Sequence, residues 1–183
     1  MASFKVLYAQ SSIFGVMKKL AVFILLLGMA SCSKGDLQIT NIDFETTALQ
    51  YCGAPTVEAQ LLFKINDREA LILQLAPGLL RNENSDGLIE SVIPSASKLS
   101  YRIFNDGVSS NYFCDLVPPA KPLVLEDLQA EVGRVRIETV QNAENPLAFD
   151  HTISLQGVSF VNSKGERLTN LSVEEFGVLT TSE

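Results

Sequence analysis

After residue 36 the hydrophobic positions of this chain fall into short runs rich in β-branched and aromatic residues, and turn residues separate the runs. Such runs are typical of strands, and the periodicity of an amphipathic helix is nearly absent from this part of the chain. The pattern predicts strands at Leu37 to Phe44, Ala48 to Cys52, Val57 to Ile65, Ala70 to Leu75, Lys98 to Phe104, Ser110 to Cys114, Gly133 to Val140, Thr152 to Val161 and Phe176 to Thr180.

Four of these runs predict two β-hairpins. The run ending at Ile65 turns over residues 66–68 and returns from Ala70, and apolar residues on both of its faces predict a central position in the sheet. Asn105-Asp106-Gly107 is a strong turn signal because Asp-Gly tolerates positive φ. The run ending at Phe104 is therefore expected to return as a strand over residues 110–114.

Two further features concern the way the strands connect. The parity of the apolar positions changes at Gln156-Gly157, which predicts a β-bulge in a long, bent strand. Leu116 to Pro122 contains three prolines, which cannot donate to a sheet, so this stretch is expected to cross between two sheets. These features predict an all-β fold, a β-sandwich of about nine strands over residues 37–183, with a β-barrel as the alternative.

Composition and charge narrow the class of protein. The chain has 183 residues, 46% of them hydrophobic and 19% charged, which suffices for one globular domain with a sizeable core. After residue 31 the chain carries 11 basic and 21 acidic residues, a formal charge of −10. Because an acidic domain repels phosphate backbones, nucleic acid is not expected as a partner.

The first 31 residues contain the three parts of a secretory signal. Lys18 and Lys19 precede the apolar run Leu20 to Leu27, and small residues lead to Cys32. A helix that spans a bilayer needs roughly 20 apolar residues, so this run is too short to stay in the membrane. Residues 1–31 are therefore predicted to be a signal peptide, with Met17 as its true start because residues 1–16 add nothing that a signal requires.

Ala30 and Ser31, directly before Cys32, resemble the lipobox of bacterial lipoproteins, although Met29 stands where Leu is usual. The resemblance implies a covalent lipid on Cys32, including palmitate, and a short tether over residues 32–36. Ser33, and not Asp, follows Cys32, which by resemblance to Gram-negative sorting implies the outer membrane and leaves the periplasmic and surface faces both open. The alternative is a soluble secreted protein in which Cys32 is a plain thiol.

Lipidation of Cys32 would leave Cys52 and Cys114 as an even pair in an oxidising compartment. This count predicts a disulfide between them, which stabilises the fold by about 4 kcal/mol on the chain-entropy model. Two buried free thiols are the alternative.

Residues 82–90 place oxygen-bearing side chains at alternate positions before a glycine, as in the first half of an EF-hand-type calcium loop. The candidate ligands are Asn82, Asn84, Asp86 and Glu90. Ile93 stands where the bidentate acid belongs, and no helix pattern flanks the loop. A solvated turn is therefore the main interpretation, calcium is the alternative, and no cofactor is expected besides the lipid on Cys32.

His151, beside Asp150, is the one histidine of the chain. A Ser-His-Asp hydrolase would need a nucleophile in a strained turn with an oxyanion hole, and no Gly-x-Ser-x-Gly sequence occurs. Because His151 shares the parity of apolar neighbours, we expect a core residue and predict no catalytic residue.

Three stretches resemble segments of uncharacterised Bacteroidota lipoproteins, which implies a lineage and no activity: Leu62 to Asn66 with Glu69 to Leu71, Tyr101 to Phe104, and Tyr112 to Cys114 with Pro118-Pro119. The leading hypothesis is a non-catalytic, lipid-anchored cell-envelope protein with a structural or binding role. Its expected partners are the membrane, through the anchor, and an envelope protein. The alternatives are an envelope hydrolase that uses His151 and a calcium-dependent adhesion module.

Overall fold

The computed structural model describes residues 42–162, 164–169 and 174–182. Within these ranges no helix is long and apolar enough to cross a bilayer. The elements there are β1 (Gln50–Tyr51), β2 (Leu61–Asn66), β3 (Glu69–Gln74), β4 (Ile89–Ile93), β5 (Lys98–Phe104), α1 (Asn111–Cys114), β6 (Val124–Gln141), β7 (Ala148–Val161), β8 (Arg167–Leu168) and β9 (Glu175–Ser182).

The strands form one antiparallel sheet in which β6 and β7 are much longer than the others. Strands β1, β2, β3, β5, β6, β7 and β8 are neighbours in that order, while β4 pairs with β6 and β9 pairs with β7. β6 pairs with β5 through residues 124–129 and with β4 through residues 133–137. The β6–β7 hairpin therefore belongs to two halves of the sheet, one that contains β5 and one that contains β4.

The β6–β7 hairpin bends where its pairing register shifts, over residues 130–134. Gly157 has φ +61° and Gly133 has φ +149°, values that residues with a side chain rarely adopt. A Cβ atom on Gly133 would also lie 3.0 Å from a methyl carbon of Val158. The β-bulge predicted at residues 156–157 is confirmed, and it separates the two halves of the sheet.

One hydrophobic core joins the two halves. Leu71 and Tyr101 from the half with β3 and β5 belong to the same buried cluster as Ile93 and Ile153 from the half with β4 and β7. The alternation of apolar and polar residues along each strand supplies the buried face. The predicted all-β sandwich is confirmed, and the sheet is not closed into a barrel.

A smaller cluster covers the opposite face of β2, β3 and β5. Phe63, Ile72 and Phe104 are buried there, with Tyr112 and Phe113 of α1 packed against them. The β2–β3 hairpin is thus buried on both faces, which confirms the predicted central position. We call this second cluster the aromatic cluster.

The predicted disulfide is present beside the aromatic cluster. Cys52 and Cys114 are bonded, with their Cα atoms 5.3 Å apart. The bond connects the residue after β1 to the last residue of α1, so it closes a loop that contains β2 to β5.

The second predicted hairpin is wrong. Residues 111–114 form α1, and no strand returns after Asn105-Asp106-Gly107. Both edges of β5 are occupied, by β3 and by β6, so no partner remains for a strand at Ser110 to Cys114. One turn of helix also directs the rings of Tyr112 and Phe113 to the same neighbour, whereas consecutive residues of a strand point to opposite faces.

The predicted crossover at Leu116 to Pro122 is also wrong. The stretch contains no strand, as its prolines require, but it connects α1 to β6, and β6 pairs directly with β5 in the same half of the sheet. The chain therefore leaves β5 and returns as β6 to pair with it, without crossing to another sheet.

Other boundaries differ by smaller amounts. β5 matches its prediction, whereas β6 begins nine residues earlier than predicted and β1 keeps two of five predicted residues. β4 and β8 were not predicted, because residues 82–90 were assigned to a turn and β8 has two residues. Of the first predicted strand, residues 37–41 lie outside the described residues, as do residues 1–31 and 32–36.

Candidate functional site

The most exposed apolar segment of the described residues follows α1 and includes the first two residues of β6. Leu116 and Val117 are 104% and 82% exposed, and Leu123 and Leu125 are 56% and 66% exposed. We call residues 116–125 the apolar loop. Because exposed side chains of this size are ordinarily scattered singly, a run of them indicates a binding surface.

The base of the apolar loop is held at both ends. The backbone N–H of Asn105 donates to the carbonyl oxygen of Leu123 (3.0 Å), and the N–H of Leu123 donates to Oδ1 of Asn105 (2.8 Å). Before the loop, Cys114 is bonded to Cys52, and the ring centroid of Phe113 lies 4.7 Å from that of Phe63 in the aromatic cluster. The loop therefore presents its apolar side chains from a fixed base.

Acidic side chains flank the apolar loop. Asp115 precedes it and Glu126 follows it, and both residues are exposed. Lys121 is the one basic residue between residues 106 and 126. A surface that is complementary to the loop is therefore apolar at its centre and basic at its rim.

His151 lies in the core, as predicted. It is 0% exposed, Nδ1 lies 2.8 Å from Oγ1 of Thr139, and Nε2 lies 2.9 Å from Oγ1 of Thr181. Burial lowers the pKa of His151 from its usual 6.5, and the charge of Asp150 opposes this shift. Since hydrolysis requires a histidine that reaches its substrate, this geometry does not favour the hydrolase alternative.

The first two calcium candidates bind protein groups. Oδ1 of Asn82 accepts the hydroxyl hydrogen of Thr181 (2.6 Å), and Oδ1 of Asn84 accepts the backbone N–H of Gln141 (2.7 Å). Both oxygens therefore connect this segment to the ends of strands.

The other two candidates do not join them. The carboxylate of Glu90 lies in β4 and contacts Arg134 (3.0 Å) and Arg136 (3.4 Å), while Asp86 is exposed. No group of three or more His, Cys, Asp or Glu side chains in the described residues is arranged to hold a metal ion. The observed contacts favour the interpretation as a turn, and the calcium alternative stays a prediction for calorimetry with Ca²⁺ to test.

Lys64 is a buried charge that the sequence did not single out. It is 3% exposed, and Nζ donates to the carbonyl oxygen of Phe44 (3.0 Å) and lies 5.8 Å from the ring centroid of Phe176. Burial lowers its pKa, and Glu175 opposes that shift. The available signal was its parity, since Lys64 shares the face of Leu62. These contacts make Lys64 a link between β2 and β9.

Comparison with protein-family models, with curated proteins and with solved structures found no match. Among the described residues, the apolar loop is the feature whose exposure the fold itself does not explain.

Proposed function

We propose that this protein is a non-catalytic lipoprotein of the cell envelope that binds a partner protein through its apolar loop. The observation that carries the proposal is the loop itself, which exposes five large aliphatic side chains on a base held by a disulfide. The partner has an apolar cleft with a basic rim, because Asp115 and Glu126 flank the loop.

The anchoring half of the proposal is supported by sequence. Ala30-Ser31-Cys32 follows a short apolar run, and Ile42 lies ten residues after Cys32, a reach of at most about 36 Å with 3.3–3.6 Å per residue. The acidic charge after residue 31 opposes adsorption to anionic lipids, so membrane attachment depends on the acyl chains. The Cys52–Cys114 bond is consistent with an oxidising compartment.

A protein partner fits the loop better than a lipid surface does. Proteins that sit in a bilayer interface commonly place Trp or Tyr there and surround them with basic residues. Residues 116–125 contain no aromatic residue, and their flanks are acidic. Crosslinks from the loop to lipid would instead indicate insertion into the bilayer.

Metabolic labelling with a palmitate analogue tests the anchor. We expect the wild-type chain to take up the label and the Cys32→Ser variant to lose it and to leave the membrane fraction. A wild-type chain that stays unlabelled would overturn the anchoring half and leave the binding half standing.

Photo-crosslinking in intact envelopes tests the loop, with the probe at Leu116 and, as a matched control, at the exposed Val140 of β6. We expect one protein adduct from position 116 only, which weakens when Asp115 and Glu126 are both changed to Lys. Equal adducts from both positions, an adduct that ignores the charge reversal, or crosslinks to lipid alone would contradict the proposal.

A further inference from the structure

Four polar side chains form a directed chain of hydrogen bonds inside the sandwich. The hydroxyl hydrogen of Thr181 is donated to Oδ1 of Asn82 (2.6 Å), so Oγ1 of Thr181 accepts from Nε2–H of His151 (2.9 Å). The neutral imidazole therefore carries its proton on Nε2. Its Nδ1 is left as an acceptor for the hydroxyl of Thr139 (2.8 Å). We call these four residues the His151 chain.

Among the described residues, no carboxylate contacts the imidazole of His151. Asp150, on the same strand, directs its oxygens to Thr180 (2.6 Å) and to Asn142 (2.8 Å), and side chains of consecutive strand residues point to opposite faces. On β6 the nearest acid is Glu138, which is exposed, and β9 carries no charged residue over 176–182.

The segment that holds Asn82 contributes one ion pair. Nη1 of Arg81 lies 3.4 Å from Oε1 of Glu83, and both side chains are largely exposed. The three buried members, Thr139, His151 and Thr181, are each at most 1% exposed. A proton on Nδ1 would therefore be poorly solvated, and it would meet a hydroxyl group that is already oriented as a donor.

Residues 82–85 lie along the edge of β6, next to the His151 chain, which includes Asn82. The N–H of Ser85 donates to the carbonyl oxygen of Thr139 (3.0 Å), and Oγ of Ser85 accepts the N–H of Thr139 (3.0 Å). Asn84 accepts from the N–H of Gln141. No residue between 81 and 88 is buried, and the described contacts that join residues 82–85 to β6 and β9 are hydrogen bonds.

We propose that the His151 chain is a pH-sensitive switch, in which protonation of His151 releases residues 82–85 from the edge of β6. The added N–H on Nδ1 forces Thr139 to turn its hydroxyl from donor to acceptor, and the displaced hydrogen finds no acceptor among the described contacts. Thr139 and Thr181 transmit this change, since one borders Ser85 and the other binds Asn82. The released edge, residues 139–141, is then open to solvent and to a new strand.

NMR of the full chain between pH 8 and 4.5 tests the switch directly, because one histidine gives unambiguous imidazole signals. We expect the Nε2–H tautomer at pH 8. As the imidazole protonates, hydrogen-exchange protection of the Ser85, Thr139 and Gln141 amides should fall about tenfold or more after correction for intrinsic rates. The amide of Leu71 in β3 should keep its protection. An Nδ1–H tautomer, or protection that survives protonation, would overturn the proposal.

Two variants separate the switch from general acid sensitivity. Gln at position 151 offers a donor and an acceptor that do not titrate, so His151→Gln should keep protection at Ser85 independent of pH. Asn82→Ala leaves the imidazole in place and should lower that protection at both ends of the pH range. The proposal fails if the Gln variant shows the wild-type loss at low pH, or if the Ala variant keeps full protection and the full pH response.

Discussion

The two ends of β6 are stabilised in opposite ways. Its first residues belong to the apolar loop, whose base is held by a disulfide and packed aromatic rings. Its last residues include Thr139 of the His151 chain, whose side chains are linked by hydrogen bonds. In the first region the apolar side chains are exposed to solvent, and a disulfide holds the base of the loop. In the second region the polar side chains of Thr139, His151 and Thr181 are buried. One region should therefore respond to reduction and the other to protons.

Removing the disulfide should break the first region and give the largest effect. We expect the double variant Cys52→Ala/Cys114→Ala to lose about 4 kcal/mol of unfolding free energy, because the bond spans a sequence separation of 62 residues. Urea denaturation of this variant and of the reduced wild type measures the loss. Equal midpoints for oxidised and reduced wild type would contradict it.

Removing one hydroxyl from the His151 chain should break the second region by a smaller amount. Thr139→Val leaves Nδ1 of His151 without a donor, a buried polar group whose desolvation costs about 2 kcal/mol. Thr152→Val is the matched control, since Thr152 is partly exposed and its hydroxyl bonds no described group; we expect a change within about 0.5 kcal/mol. Similar losses in the two variants, measured by urea denaturation, would show that the hydrogen bond is not the cause.

Acid should act on the second region through His151. The pKa of His151 is lower in the folded state than its usual 6.5 because of burial. Its contribution to stability is therefore fully present above that usual value and is lost as the pH falls toward the folded pKa. Thermal unfolding of the wild type and of His151→Gln from pH 8 to 5 should show a steeper decline for the wild type. Parallel curves would contradict this assignment.

The parts of the fold that sequence predicted depend on local pattern. Strand periodicity correctly predicted β5 and most of β7. The change of parity predicted the bulge at Gly157, and the number of cysteines predicted the disulfide. The apolar parity of His151 predicted its burial, although not its threonine partners. Those partners come from β6 and β9, and their alignment depends on sheet register.

The errors arose where the answer depends on which sheet edges are free. Residues 110–114 have the composition of a strand, and only the occupied edges of β5 explain why they form α1. The prolines after α1 correctly excluded a strand, but the exposure of Leu116 follows from packing that no local pattern contains. Lys64 was missed for the same reason, because its carbonyl partner belongs to a distant residue.

The apolar loop should give the smallest effect on stability, and this contrast is what separates a binding surface from a support. Leu116→Ser and Val117→Ser remove side chains that pack on nothing described, so each should change the unfolding free energy by less than about 0.5 kcal/mol. Phe113→Ala, a few residues earlier, empties the aromatic cluster and should cost about 2–3 kcal/mol. If the two Ser variants are as unstable in urea as Phe113→Ala, the loop is part of the folded core and its exposure cannot indicate a partner. If both are stable and Val117→Ser also weakens the adduct from the probe at position 116, the side chains serve contact with another protein.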